Sequence, residues 1–220
     1  MTVEPLQEPD SHDRHYSSGD KRLPKELRRQ HLVLSALRIF SSQGYHTTTM
    51  NQVASAADVT KPVLYQHFKS KRELYLAVLD EQIKELTERL VRPLYDTQDN
   101  RERTERVIGA FFEFTRTNLQ GYRLIFESDI HSDLAVQQRI DDLHLYIANH
   151  IAQVLEPNSG LAAKEAVLIS RTLTGMALSA VQHALQQGAQ DQELARAQNL
   201  VFRLAWGGLL CIDDDSVYDG

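Results

Sequence analysis

Lys61, Tyr65, Gln66 and His67 lie within seven positions and bring together a cation, a phenol, an amide and an imidazole. Thr60 precedes them and Pro62 sits at the second position of the helix they imply. These types suit the edge of a DNA duplex. A helix start favours anions, short side chains at Thr60 and Lys61 can approach bases, and an amide such as Gln66 pairs with adenine. A solvated glutamine would look identical, so Gln66 has two readings. Upstream, Thr48 or Thr49 offers a hydroxyl and backbone N–H groups at a second helix start, a natural phosphate site.

The elements that must position these residues follow from Thr47 to Leu74, TTTMNQVASAADVTKPVLYQHFKSKREL. Met50, Val53, Ala54 and Ala57 give the first helix an apolar face, capped by Thr48 or Thr49. Asp58-Val59 supplies a turn, because Asp tolerates a left-handed backbone. Thr60 caps a second short helix anchored by Val63, Leu64 and Phe68. Ser70-x-x-Glu73 then reads as a capping box opening another helix. Helix, tight turn and a short basic-aromatic helix are what major-groove reading requires.

The net charge of −6 hides a strong asymmetry. Between Lys21 and Arg72 ten Lys and Arg stand against Glu26 and Asp58, a local +8, so the remainder carries −14. Phosphate attraction depends on the local surface, and the asymmetry supports nucleic acid at the N-terminal end alone. No run of 18 apolar residues is present to span a membrane. The N-terminus lacks an apolar signal segment, and the expected location is the cytoplasm. A lone cysteine, Cys211, excludes an internal disulfide and any cysteine-rich zinc site.

The expected fold class is all-α: an N-terminal helix-turn-helix DNA-binding domain plus a larger helical ligand-binding and dimerisation domain. Residues 1–22 read as a disordered tail, 23–72 as the DNA-binding domain, 73–210 as the body and 211–220 as an acidic tail. His12 and His15 read as solvated tail residues. The first helix runs from Pro24 to about Ser42, with Gly44 ending it and Arg28 and Arg29 near its start, where phosphate or solvent could face them. The helix from Ser70 runs through Ile83, Leu86 and Leu90 until Pro93 disrupts it, and would be the lever between head and body. Further helices are expected at 101–119 with Gly121 as the stop, 122–127, 132–155 stopped by Glu156-Pro157-Asn158-Ser159-Gly160, 162–187 and 191–210.

Gly44-Tyr45 followed by TTT, then VASAADVTKPVLYQHFKSKREL, closely resembles the N-terminal signature of the TetR family of transcription regulators. The family's turn usually carries glycine where Asp58 stands. The resemblance implies phosphate contacts from Tyr65, His67 and Lys71. DNRERTERVIGAFFEFTRTNLQGYRLIFESD, with RLAWGGL near the C-terminus, is similar to the FasR-type regulators of fatty acid synthesis in actinobacteria. That implies a homodimer whose body binds long-chain acyl-CoA, its effector rather than a cofactor, and so adjusts its grip on promoters of fatty acid synthase genes. One recognition helix per subunit would make the operator in double-stranded DNA an inverted repeat, with steep salt dependence.

For the ligand, Phe111, Phe112, Phe114, Tyr122, Leu124, Ile125 and Phe126 concentrate apolar surface within 16 residues. Steps of 100° prevent Phe111, Phe112 and Phe114 from facing one way, so one face could line a cavity while the other packs in the core. Arg116, Arg123 or Arg139 could meet the CoA end, or simply face solvent. Small residues from Ala166 to Ala184 suit helices that approach closely, within one subunit or across a dimer, and the family resemblance favours the dimer. Trp206-Gly207-Gly208 would pack at that junction. An alternative is a family member controlling efflux or catabolic genes in response to another apolar molecule. An enzyme acting on acyl thioesters lacks any GxSxG, HExxH or Gly-rich phosphate loop. His131, His144, His150 and His183 have no recognisable partner spacing, and a metal site of Asp141, Asp142 and His144 would need adjacent acids on a helix to face one way. Neither repression nor activation is written in the residues.

Overall fold

The computed structural model describes residues 24–212 apart from His131. The tail histidines His12 and His15 and the end of the acidic C-terminus lie outside the described residues. Among the described residues the chain forms helices and no strand: α1 (Lys25–Gln43), α2 (Met50–Ala56), α3 (Lys61–His67), α4 (Lys71–Tyr95), α5 (Asn100–Thr117), α6 (Leu119–Phe126), α7 (Leu134–Ser159), α8 (Ala163–Gln186) and α9 (Asp191–Ile212).

The head is α1 to α3 with the first turns of α4. Leu32, Ala36, Val53, Leu64 and Phe68 are almost wholly buried and make its core, continuous with Leu74, Val78 and Leu79 of α4. Ridges of α1 therefore pack against α2 and α4 together, and α6 closes on α1 from the body side. In the body α4 packs on α5 and α7, α7 on α8, and α9 on α5 and α8.

Several boundaries differ from the sequence expectation for identifiable reasons. Pro93 lies inside α4 rather than ending it. A proline forfeits one N–H bond, but Leu90 and Leu94 stay buried on either side and Arg103 Nε donates to the Leu94 carbonyl at 2.7 Å. Pro157 likewise sits within α7, where Asn158 Nδ2 donates to Val154 O and Ser159 Oγ to Leu155 O, and Gly160 with φ 67° ends the helix. Gly121 is not a stop. Asn118, at φ −137° and ψ 58°, breaks the chain, and its side chain accepts from the Gly121 N–H to start α6.

Candidate nucleic-acid interface and ligand cavity

The turn before α3 has the geometry its sequence suggests. Asp58 has φ 51° and is the positive-φ residue other than glycine among the described residues. The Val59 N–H donates to Ala54 O at 3.0 Å, closing the turn, and His31 Nε2 lies 3.1 Å from Ala57 O, tying it to α1. Buried Leu64 and Phe68 pin α3 to the core, which leaves Lys61, Pro62, Tyr65 and Gln66 exposed on one surface together with Thr60. Lys61 Nζ lies 5.9 Å from the Tyr65 ring centre, at the outer limit of cation–π contact. Thr60 caps α3 by position without a side-chain hydrogen bond, so its hydroxyl is uncommitted.

His67 is half-buried. Desolvation, then the nearby Lys25, Arg28 and Arg29, lowers its pKa, so the ring is a neutral hydrogen-bonding group at pH 7. The same causes place the basic start of α1 beside the end of α3, widening the positive surface beyond the recognition helix.

The three threonines divide their labour in a way the sequence leaves ambiguous. Thr49 is the N-cap of α2, with a reciprocal capping box: Gln52 N–H donates to Thr49 Oγ1 at 3.3 Å and Thr49 N–H to Gln52 Oε1 at 2.7 Å. Thr48 is buried, and its hydroxyl donates to Gly44 O at 2.6 Å. The side chain closes the α1–α2 loop rather than facing outward with Thr49.

Lys71, half-buried, is likewise engaged within the head. Its ammonium donates to the carbonyls of Tyr45 at 2.8 Å, His46 at 3.3 Å and Thr48 at 2.9 Å, and rests 4.3 Å over the Tyr45 ring. Three donors satisfied internally leave it a clamp on the loop that carries α2. The capping box at α4 is shifted by one residue. Ser70 accepts from the Glu73 N–H at 3.1 Å, but Glu73 Oε2 accepts from Lys69 N–H at 2.7 Å.

The same loop is gripped from the body. Asp129, between α6 and α7, accepts from the N–H groups of Tyr45 at 2.7 Å and His46 at 3.1 Å. Desolvation alone would raise its pKa, yet those two bonds outweigh it and hold the carboxyl below the usual range. Gly44, at φ 81°, permits this approach, since a Cβ there would lie 2.6 Å from Asp129 Oδ2. Asp133 meets Arg72 in a two-pronged pair at 2.7 and 2.9 Å, which with its cap on α7 lowers its pKa to about 2. Tyr75, packed edge-on to Phe40 and Tyr45, bonds Ser128 Oγ at 2.5 Å; burial first of all pushes its phenol up to about 12. One segment, 128–133, thus holds three places in the head and first turn of α4. Nothing in the sequence pattern marks it, because its partners are 50 to 85 residues away.

The second feature is a cavity of about 330 Å³ between α4, α5, α7, α8 and α9. Its size falls within the roughly 300–1,000 Å³ of small-molecule sites. Leu86, Leu90, Val107, Ile108, Ile147, Ile151 and Leu178 make an apolar middle. Along α7 the lining extends from His144 to Ser159, about 22 Å at 1.5 Å per residue, with Ile147, Ile151, Val154 and Leu155 between polar ends. Of the residues proposed from sequence, Phe111 and Phe126 line it. Phe112, Phe114, Tyr122 and Ile125 are instead packed in the surrounding core, and the exposed Arg123 pairs with Glu127 at 3.7 Å. None of these five lines the cavity. The Tyr122 hydroxyl is buried without a hydrogen-bond partner among the described residues, and desolvation, then the Glu127 charge, raises its pKa.

Arg116 and Arg139 are engaged with Glu113 and Asp80 respectively and do not line the cavity. Arg103, Arg171 and Trp206 do. The sequence offered no signal for either arginine. His144 stacks on Phe126 with ring centres 6.4 Å apart, its pKa lowered by desolvation and then by Arg171. No group of three or more His, Cys, Asp or Glu side chains able to hold a metal ion occurs among the described residues, and Asp141 and Asp142 face solvent. No described helix is long and apolar enough to cross a membrane.

Residues 32–78, from α1 into α4, match the model for bacterial regulatory proteins of the tetR family. Over 188 residues, 86% of this chain and 85% of the relative, the chain is 36% identical to the HTH-type transcriptional activator FasR of Mycolicibacterium smegmatis. The crystal structure of a TetR-like transcriptional regulator from Rhodococcus sp. RHA1 matches with a TM-score of 0.71 and 25% identity, covering 86% of this chain and 99% of that one. FadR of Bacillus subtilis, solved with stearoyl-CoA, shares the fold at a TM-score of 0.69 and 18% identity, over 80% of this chain and 96% of its own. With the head geometry above, these matches identify the chain as a member of the TetR family of DNA-binding transcription regulators and not an enzyme.

Proposed function

We propose that the protein is a homodimeric regulator of fatty acid synthesis genes whose operator affinity responds to long-chain acyl-CoA held in the cavity. The observation that carries this reading is the apolar middle of the cavity, where Ile147, Ile151, Val154 and Leu155 of α7 run for about 12 Å at 1.5 Å per residue opposite Leu86, Leu90, Val107 and Ile108, a surface that suits an acyl chain. Similarity to FasR supports the gene target, and the fold shared with the stearoyl-CoA-bound FadR supports the ligand class. Such a protein works where the chromosome is, in the cytoplasm.

On DNA, Thr60, Lys61, Pro62, Tyr65 and Gln66 face the major groove, with His67, Thr49 and the basic start of α1 along the phosphates. The operator is an inverted repeat matching the two-fold axis of the dimer. Exposed Leu168 of α8 and Leu200 and Leu204, one turn apart on α9, support a dimer through those helices, since exposed leucines on paired helices suit an interaction surface. Ala166, Ser170 and Ala177 are buried within the subunit, so the small residues of α8 serve both neighbours.

Gating runs through the polar grip of the α6–α7 segment as well as through α4. Phe126 touches the cavity, and three residues later Asp129 holds the loop before α2. A ligand shifts DNA affinity only by its different affinity for the two arrangements of this joint. Trp206, the single tryptophan, lines the cavity and reports occupancy directly. Titration with acyl-CoAs of increasing length should give a saturable change in tryptophan emission that strengthens toward long chains. A flat response at every length would remove the lipid reading and leave the family assignment.

A further inference from the structure

The end of the cavity at the α4–α5 turn is chemically unlike its middle. Asn100, Arg103 and Thr104 of α5 and Asn158 and Ser159 at the end of α7 are polar members of the lining. Arg103 is only 8% exposed, and no carboxylate lies within 4.0 Å of it among the described residues. Every acceptor it has is a neutral oxygen: Leu94 O at 2.7 Å, Thr97 O at 2.6 Å, Gln98 Oε1 at 3.4 Å, and Asn100 Oδ1. The other arginines inside the ion-pair network sit at the surface beside Asp or Glu, where water already screens them. A buried cation is ordinarily paired, because carbonyl dipoles orient it without neutralising its charge. With five N–H donors on the guanidinium and these four acceptors, donor capacity remains on Nη1.

We propose that this end is a carboxylate subsite, and that the cavity takes a free long-chain fatty acid with its carboxylate at Arg103 and its tail along Val107 and Phe111 toward Phe126. The inference rests on the reading of the cavity as a lipid site. It adds a second ligand class beside acyl-CoA, whose phosphates would meet Arg171, the exposed arginine of the lining. The two ligands share the apolar middle, so they compete. A carboxylate between the Arg103 guanidinium and the amides of Asn100 and Asn158 gains charge-assisted hydrogen bonds that an alcohol of equal length cannot match.

The test uses the full chain and Trp206 emission, comparing hexadecanoate, 1-hexadecanol and hexadecanoyl-CoA below their aggregation limits at a pH where the acid is ionised. The acid should bind at least about tenfold tighter than the alcohol and displace the acyl-CoA. Arg103→Gln, checked for retained helicity, should abolish that margin, while Arg171→Ala should weaken the acyl-CoA and leave the margin intact. Equal affinity for acid and alcohol on the unaltered protein overturns the proposal whether or not Arg103→Gln folds. So does a margin that survives in folded Arg103→Gln or follows Arg171 instead. Failure of the acyl-CoA alone, with the acid bound, would remove the acyl-CoA reading and keep this one.

Discussion

The head and the body of this protein are both helical, but their functions are written in different currencies. In the head, function lies in the identity of exposed side chains packed into a short stretch of sequence, on a helix of seven residues held by Leu64 and Phe68. In the body, function lies in space left unfilled, bounded by residues from Leu86 to Leu210 on six helices. A surface that reads DNA depends on which groups are present; a cavity depends on which groups fail to meet. The first is local and survives inspection of a string of residues, whereas the second exists only after long-range packing.

The difference can be broken or sharpened by substitution. The largest effect is expected at Phe114, fully buried on α5, where Phe114→Ala should lower unfolding free energy by about 3–5 kcal/mol in urea titrations. Phe126→Ala opens onto a cavity already present, so it should cost clearly less while weakening acyl-CoA binding. Equal losses at the two positions would erase the distinction between core and lining.

Gly44→Ala meets both a φ of 81° and the Asp129 carboxylate, and about 1–3 kcal/mol of stability should disappear with it. Lys71→Ala should lower the melting temperature by removing three carbonyl contacts, at about 1–2 kcal/mol. Lys61→Ala, by contrast, should leave melting unchanged, weaken operator binding, and reduce the slope of log K against log salt by about 1. If Lys71→Ala instead behaves like Lys61→Ala, the lysine is a phosphate contact and not a clamp.

Tyr122→Phe removes a buried hydroxyl without a partner, and stability should hold or rise by up to about 1 kcal/mol. The smallest effect concerns Asp133. Its carboxyl titrates near 2 rather than 3.8 in the folded protein, so its contribution is present above that ordinary value and lost as pH falls toward about 2. The stability gap between the unaltered protein and Asp133→Asn should therefore be widest above about pH 5 and narrow below about pH 4, and at this exposed pair it should not exceed about 1 kcal/mol.

The sequence carried the head almost to the residue. Asp58 was readable as a left-handed turn because few side chains accept that backbone, and Val63, Leu64 and Phe68 as anchors because their spacing is helical. The engagement of Thr48 and Lys71 inside the head was not legible, because a threonine or lysine in a motif shows its chemistry but not its partner. Only the folded loop reveals that Gly44 O and the carbonyls of 45, 46 and 48 claim them. In the body, the aromatic cluster at 111–126 pointed to an apolar centre, yet helical phase alone could not tell Phe111 from Phe112. Arg103 and Arg171 had no local mark at all. Proline was a poor stop signal at 93 and 157 for a related reason: burial of Leu94, and side-chain bonds from Asn158 and Ser159, offset one lost N–H.

The central claim is that occupancy of the body changes the grip of the head, and operator binding measures it most directly. Fluorescence anisotropy of a labelled fatty acid synthase promoter fragment should be titrated with the protein, with and without long-chain acyl-CoA. The account predicts tight, salt-sensitive binding whose affinity changes with acyl-CoA and more strongly as the chain lengthens. Tight binding that long-chain acyl-CoA leaves untouched would contradict it.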